Sequence, residues 1–511
     1  MNIKQAKQEI EHTVQAYLTR DELGNYLIPA IRQRPILLMG PPGIGKTQIM
    51  EQIAAETGIG LVSYTITHHT RQSAIGLPFI EKRTYGGKEY AITEYTMSEI
   101  LASVYELMER TGLGEGILFL DEINCVSETL TPMMLQFLQC KTFGNQALPE
   151  GWTIVAAGNP PEYNKSVRDF DVVTLDRVKR IDVTEDFAVW KEYAYRRGLH
   201  GAVISYLDIK KEHFYRVETT VDGLQFATAR GWEDLSELIQ AYERLGLTVD
   251  REVVGQYIQL PRIAKDFANY LELYYKYQRT YHVEDILSGR WPRTTVLELQ
   301  AAPFDERLSV MGLLLSRLSE EARGVRQQDA LTTALHETLL TFKERLAAGI
   351  SPHEALETLA QQKREAMERA RLAGQLDKET RARGQREAQI LDRYRQELVK
   401  GEFTGEAAMD AVRAWFGQEV EARASAGEAA GKCFDNAFRF LEETFGDSQE
   451  LVIFVTEVTA GFDTSWYVEE FGCDAYFRHN RELLFDDTRR RIREEIAAAR
   501  QAEGEQPQTE E

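Results

Sequence analysis

Cysteine is scarce in this chain of 511 residues: four are present, at Cys125, Cys140, Cys433 and Cys473, with no CxxC pair and no histidine at zinc-finger spacing. That excludes a disulfide framework and a structural zinc site, and makes a reducing cytoplasm the expected compartment. Long apolar runs are also missing. No stretch approaches the roughly 18 residues that a bilayer span requires, so no membrane contact is expected. The opening MNIKQAKQEIEHTVQAYL mixes charge with apolar residues and lacks a continuous apolar region or a small-residue cleavage site. It reads as an amphipathic helix rather than a signal peptide. Basic residues are in deficit, with 60 Lys and Arg against 81 Asp and Glu and a formal charge of −21. Phosphate backbones bind through Lys and Arg, so this balance argues against a nucleic-acid partner. What remains is globular in composition, 43% hydrophobic, 28% charged and 10% aromatic, with length for about two to four domains.

Between positions 36 and 183 short apolar runs alternate with segments of helical period: ILLMG (36–40), LVSYTI (61–66), ILFLDE (117–122), TIVAAGN (153–159) and KRIDV (179–183). That alternation predicts α/β architecture, a parallel sheet with crossover helices. From Asp186 strand runs largely stop, and segments such as PRIAKDFANYLELYYKY carry apolar residues at three- and four-residue spacing. SGRWPR (288–293) combines Gly, Pro and charge and marks a boundary, beyond which the chain reads as helical. The expected domains are therefore 1–185 for the nucleotide-binding sheet, an all-α lid over 186–290, and an all-α extension over 291–511 with a disordered acidic tail at about 503–511. Within the extension, Gln361 to Lys400 reads as a long solvated helix or helical hairpin, with Gly374 and Gly384 arguing against one unbroken rod. LVIFVTEVTAGFDTSWYVEEFGCDAYF (451–477) reads as a buried helical hairpin, with a partner-docking surface as the alternative.

The chemistry concentrates after the first run. Gly40-Pro41-Pro42-Gly43-Ile44-Gly45-Lys46-Thr47 follows a strand and leads into a helix that opens at Lys46 and continues through Gln48, a further phosphate-binding candidate, which is the setting a GxxxxGK[ST] phosphate loop requires. Glycines let backbone N–H groups close on the β-phosphate, and the helix start adds its positive dipole end. Lys46 is placed to reach the β- and γ-phosphates of ATP, and the Thr47 hydroxyl to ligate Mg²⁺. The run GILFL ends in Asp121-Glu122, expected on a strand beside the loop strand, with Asp121 on the metal and Glu122 polarising the attacking water. TIVAAGN ends in Asn159, whose amide can bond the γ-phosphate and the lytic water without adding negative charge. Arg177 and Arg180 flank the start of KRIDV, and an arginine at that end of the sheet can point toward a neighbouring subunit's γ-phosphate. Arg177 takes this finger role ahead of Arg180, against a surface ion pair as the plain alternative. Arg230, in Ala229-Arg230-Gly231-Trp232, opens a helix from which it can reach back to the phosphates.

The ordered set GPPGIGKT, LFLDEIN, AAGNPP, TLDRV and TARGWEDLS resembles the MoxR-type AAA+ ATPases of the helix-2-insert clade, over roughly residues 1–290. The resemblance implies a five-stranded AAA+ core sandwiched by helices, a helical lid, and a homo-oligomeric ring, a hexamer. It also implies a chaperone-like ATPase motor that acts on a protein client, often beside a von Willebrand factor A-domain protein. Residues 73–100 match the place of the insert, and Tyr85-Gly86-Gly87-Lys88 reads as a hairpin turn. Gly158 and Val178 stand where that group often has Gln and Phe. Two other functions compete with the motor: a nucleotide-gated assembly platform, and a restriction-type NTPase directed to nucleic acid. Asn164-Lys165-Ser166-Val167 lacks the Asp of a guanine box, and His68-His69 lacks metal-ligand partners at suitable spacing. Cys125 and Cys140, flanking an apolar helix, are expected as buried small hydrophobes.

Overall fold

A computed structural model of the chain describes residues 1–68, 76–128, 130–143, 146–163, 170–220 and 223–481. The expected acidic tail, His69 and Asn164-Lys165-Ser166 lie outside the described residues. Five strands, β1 (Ile36–Met39), β2 (Gly60–Thr65), β5 (Gly116–Asp121), β8 (Trp152–Gly158) and β9 (Lys179–Asp182), form a parallel sheet in the order β2-β5-β8-β1-β9. This is the predicted α/β core, and its registers align Ile36 with Val155 and with Lys179, and Thr65 with Asp121.

Side chains alternate across the pleat and sort the sheet into two faces. Ile36, Leu38, Phe119, Val155 and Ala157 pack with Ala6, Ile10 and Val14 of the helix Ile3–Leu18 and with Ile49, Met50 and Ile53 of the helix Lys46–Thr57. On the opposite face Leu37, Leu118, Leu120, Ile154 and Ala156 meet Ile100, Leu101 and Val104 of Glu99–Thr111, and Met134, Phe137 and Leu138 of Thr131–Cys140. Each such side chain, fully buried, contributes about 1.5–3 kcal/mol. Covering both faces of a parallel sheet makes its strands continuously apolar, which is why periodicity found them. The first helix is closed by a capping box between Asn2 and Gln5.

Two antiparallel hairpins interrupt this pattern. β3 (Pro78–Tyr85) and β4 (Lys88–Tyr95) join through Gly86 and Gly87, at φ 57° and 80°, as the two-residue turn requires. β6 (Thr142–Phe143) and β7 (Gln146–Ala147) make a short second pair. A third, β10 (Arg216–Thr220) with β11 (Gly223–Ala227), lies where strands were expected to have stopped.

The chain divides into two compact units that do not follow the three consecutive segments expected. Met1–Val189, Thr228–Gly231 and Glu337–Val412 form the first; Trp190–Ala227, Trp232–His336 and the chain from Arg413 form the second. SGRWPR (288–293) lies inside the second of these units. Helices Pro352–Leu372 and Lys378–Lys400 pair as a hairpin inside the first unit, not in an independent extension, because their bend meets the sheet edge: Gln375 Nε2 donates to the carbonyl of Ile59 at 2.8 Å. Gly374, at φ 72°, makes the bend. Gly384 does not break its helix; it lets Met367 approach, since a Cβ there would lie 2.5 Å from Met367 Sδ.

In the second unit, helices Gln449–Ala460 and Phe462–Phe471 form a buried pair, with Phe454 edge-on to Phe438 at 5.2 Å and Tyr467 stacked on Phe434 at 4.7 Å. The buried reading of 451–477 thus holds. Asp463 is buried there between Arg323 (2.9 Å) and Arg326 (2.7 Å). All four cysteines are free; Cys140 is exposed and Cys125 half-buried, against expectation. Among the described residues no helix is long and apolar enough to cross a membrane.

Candidate active site

The loop between β1 and the helix Lys46–Thr57 is shaped by three glycines. Gly43 and Gly45 adopt φ 75° and 91°, where a side chain is strained. At Gly40 a Cβ would sit 2.9 Å from both Ile44 Cδ1 and the carbonyl oxygen of Val183. Gly45 caps the helix in left-handed conformation, so the first-turn N–H groups, including those of Thr47 and Gln48, head the helix without a side-chain cap. Lys46 is 8% exposed and bends back over the loop, donating from Nζ to the carbonyls of Gly40 (2.7 Å) and Pro41 (2.8 Å) and to Asn159 Oδ1 (2.8 Å). Burial pulls its pKa from 10.5 down to about 8; Asp121 and Glu122 oppose that fall and Arg230 adds to it.

Asp121 ends β5, and its Oδ2 accepts from Thr47 Oγ1 at 3.2 Å. One expectation fails here. β5 is not beside the loop strand β1; β8 lies between them. The intervening strand delivers Asn159 to the middle, so Lys46, Asn159 and Asp121 come from three neighbouring strand ends at the carboxyl edge where such sheets bind ligands.

Glu122 takes φ 57°, an unusual value for a non-glycine residue. Its N–H donates to Asp121 Oδ1 at 2.9 Å, and its Oε2 accepts from Thr67 Oγ1 at 2.9 Å. Nothing in the residue order around Thr67 marks it; the adjacency of β2 to β5 brings it there. Asn124 is the second such residue. It is 4% exposed, donates from Nδ2 to the carbonyl of Asn159 (2.8 Å) and accepts the Asn159 N–H at Oδ1 (3.3 Å). Gly158 leaves room for it, since a Cβ there would lie 2.6 Å from Asn124 Oδ1.

Arg230 also reaches this unit. A Cβ on Gly43 would lie 3.3 Å from Arg230 Cβ and 3.4 Å from Thr228 Oγ1, and Thr228 Oγ1 accepts the Gly231 N–H at 3.2 Å as the helix Ala229–Leu245 begins. Arg177 does not join the cluster. It precedes β9, whose first residue pairs with Ile36 at the start of β1, and so sits at the amino edge of the sheet, exposed and bonded to Gln139 at 2.5 Å. Arg180 pairs with Asp182 at 2.9 Å and lines a cavity of about 650 Å³ beside Gly40, Pro41 and Tyr163.

A glycine-shaped loop heading an uncapped helix, a buried lysine and an Asp-Glu strand end together define a P-loop nucleoside triphosphatase. Residues 36–172 match the family model described as ATPase family associated with various cellular activities (AAA). That segment is similar to the ATPase domains of this family, a class whose reaction is ATP hydrolysis. The mouse ATPase family gene 2 protein homolog B is 33% identical over 93 residues, covering 18% of this chain and 10% of that protein. The chain thus spans about a tenth of the length of this curated relative. A mutant RuvB from Thermotoga maritima superposes with a TM-score of 0.27 at 14% identity, over 51% of this chain and 70% of that one. At that score the likeness adds nothing to the fold described from the strands themselves.

Proposed function

We propose that the protein hydrolyses ATP with Mg²⁺ as a ring-forming, MoxR-like AAA+ motor, and uses the cycle to remodel or activate a protein client. The observation that carries this reading is the convergence of Lys46, Thr47, Asp121, Glu122 and Asn159 around one phosphate loop. The donor set suits Mg²⁺, because Thr47 Oγ1 and Asp121 Oδ2 are hard oxygen ligands already 3.2 Å apart. These two residues would hold the ion, which neutralises phosphate charge when bound.

The rest of the mechanism belongs to the chain. The loop from Gly40 to Thr47 wraps the phosphates, with the N–H groups of Gly43 to Thr47 and of Gln48 as donors and Pro41 and Pro42 as its wall, and Lys46 exchanges its loop carbonyls for phosphate oxygens. Glu122, steadied by Thr67, accepts a proton from the attacking water. Asn159, clamped by Asn124, aligns that water with the γ-phosphorus. Arg230 reports the phosphates from the start of its helix, with residues 186–290 serving as lid. Arg177, turned away from its own site, supplies charge to the neighbouring subunit of a homo-oligomer, in this reading a hexamer. The exposed β3–β4 hairpin, with Ile80 77% exposed, is the surface offered to the ring's pore. A von Willebrand factor A-domain protein is the partner expected, and the four free thiols fit a cytoplasmic setting.

The test is Glu122→Gln. Turnover should fall by about 10²–10⁴ with ATP binding intact, and affinity capture in ATP should retain an A-domain protein or a metalloenzyme client. Recovery of self-assembly alone, with partner function preserved, would mark an assembly platform instead.

A further inference from the structure

The second unit holds a cavity of about 580 Å³ that has no part in the chemistry above. One wall is the turn Lys211–His213 with its flanks, contributing Lys210, His213 and Arg216; the other is the first two turns of the helix Pro261–Tyr281, contributing Arg262, Lys265 and Asp266. Four full cations converge here in a chain whose formal charge is −21.

Their partners account for only some of them. Asp266 is matched internally, accepting from Lys210 Nζ and, at 3.0 Å, from the buried Tyr206 hydroxyl. Arg216 bonds Glu218 at 3.3 Å and the carbonyl of Glu212, the remaining carboxylate of the lining, at 3.2 Å. Arg262 and Lys265 make no hydrogen bond or ion pair among the described residues. Like charges three apart on a helix repel, and cations in an opening turn oppose the helix dipole, so the pair is unfavourable without an anion.

His213 points the same way. It is 8% exposed and lines the cavity. Its Nδ1 lies 2.7 Å from Tyr206 Oη. The single Tyr206 proton goes to the Asp266 carboxylate, which can only accept, so Nδ1–H donates to the tyrosine oxygen. Nε2 is left with Glu212 Oε1 at 4.0 Å, beyond hydrogen-bonding distance.

We propose that this cavity binds the phosphate of a phosphorylated small molecule, with Arg262, Lys265 and Arg216 as its donors. Two unmatched cations suit a dianion, and arginine forks match phosphate oxygens. The volume lies within the range that takes ligands larger than a free ion, and the acidity of the whole chain disfavours a nucleic-acid backbone. Burial holds His213 toward its neutral form, with Lys210 and Arg262 acting in the same sense and Glu212 and Asp266 against it. A bound phosphate adds negative charge beside Nε2, so phosphate and a proton enter together.

Inorganic pyrophosphate is the probe, titrated calorimetrically into nucleotide-free full-length protein carrying Lys46→Ala, which weakens phosphate binding at the loop. One equivalent should bind, with proton uptake near neutral pH, and the His213 ring signal should titrate at higher pH when pyrophosphate is present. Arg262→Ala with Lys265→Ala should weaken binding at least about tenfold. Both positions are exposed, and an unchanged melting curve separates this from unfolding; Lys46→Ala should leave the second site intact. Absence of binding in nucleotide-free Lys46→Ala protein, or binding unaffected by the double substitution, overturns the proposal. Binding of single-stranded DNA at these residues in place of pyrophosphate overturns it equally.

Discussion

The amine of Lys46 is buried, and that has a measurable thermodynamic signature. The fall of its pKa from 10.5 to about 8 corresponds to roughly 3 kcal/mol of preference for the neutral form. In the unfolded chain the amine keeps its ordinary value, so between pH 8 and 10.5 the unfolded state binds more protons than the folded one. Stability therefore rises with pH across that window, and the burden on the folded state is fully present below it. Replacing Lys46 with Met removes the titration but keeps the bulk. The three bonds to Gly40, Pro41 and Asn159 add a constant to the difference between the two proteins, so the slope is the diagnostic. Denaturant unfolding of both, free of nucleotide, should show the stability of the wild type gaining on Lys46→Met by roughly 3 kcal/mol between pH 8 and 10.5. With saturating ADP the wild-type slope should flatten, because phosphate charge keeps the ammonium protonated. A gap that does not change with pH in nucleotide-free protein would refute the placement of this lysine in a dry, anion-seeking pocket.

Two further substitutions probe the groups around the reacting water. Thr67→Val deletes the donor to Glu122 at near-constant volume; a hydrogen bond to a charged group contributes about 1.5–3 kcal/mol, so kcat should drop by about 10- to 100-fold while KM stays put, as steady-state ATPase assays would reveal. Arg177→Ala should reduce turnover by up to about 10³–10⁵ without weakening ATP binding. Mixing it with Glu122→Gln subunits should restore part of the activity, since some interfaces then pair an intact Glu122 with an intact Arg177; no recovery on mixing would rule out action across subunits.

Much of this was legible before any fold was known, and the limits have physical causes. GPPGIGKT advertises itself because glycine positions and a strand-to-helix switch are local properties. β1, β5 and β8 were readable because the centre of a sheet covered on both faces shows continuous apolar runs, whereas the edge strands β2 and β9 mix polar and apolar residues and were found by their place in the alternation. Thr67 and Asn124 were not, because their roles depend on which strands are neighbours, and strand order leaves no mark on local periodicity. The same blindness put β5 beside β1. β10 and β11 escaped because RVETT holds a single apolar residue and GLQFA only a brief alternation, five positions each, too short to stand out among helices. The two compact units cut across the expected segments for another reason: by charge, Gln361 to Lys400 read as a solvated helix or helical hairpin, and nothing in that pattern shows that Gln375 meets the carbonyl of Ile59 or that Gly374 lies beside Leu61.

The insertion of β8 between β1 and β5 has a mechanical consequence as well. Asn159 is gripped from two sides, by Lys46 through its side chain and by Asn124 through its backbone. Asn124 lies two residues beyond Glu122, in the short turn Ile123–Cys125 that follows the left-handed Glu122. A displacement of Lys46 by phosphate therefore pulls on the residue that Asn124 holds, and Asn124 shares its turn with the proposed base. In the proposed cycle this links phosphate occupancy to base position through three hydrogen bonds and the three residues from Glu122 to Asn124, with no rearrangement of the sheet. Were the strand order β8-β5-β1 instead, Asn159 would sit at the far side of Asp121, and the same motifs in the same sequence would have no such connection.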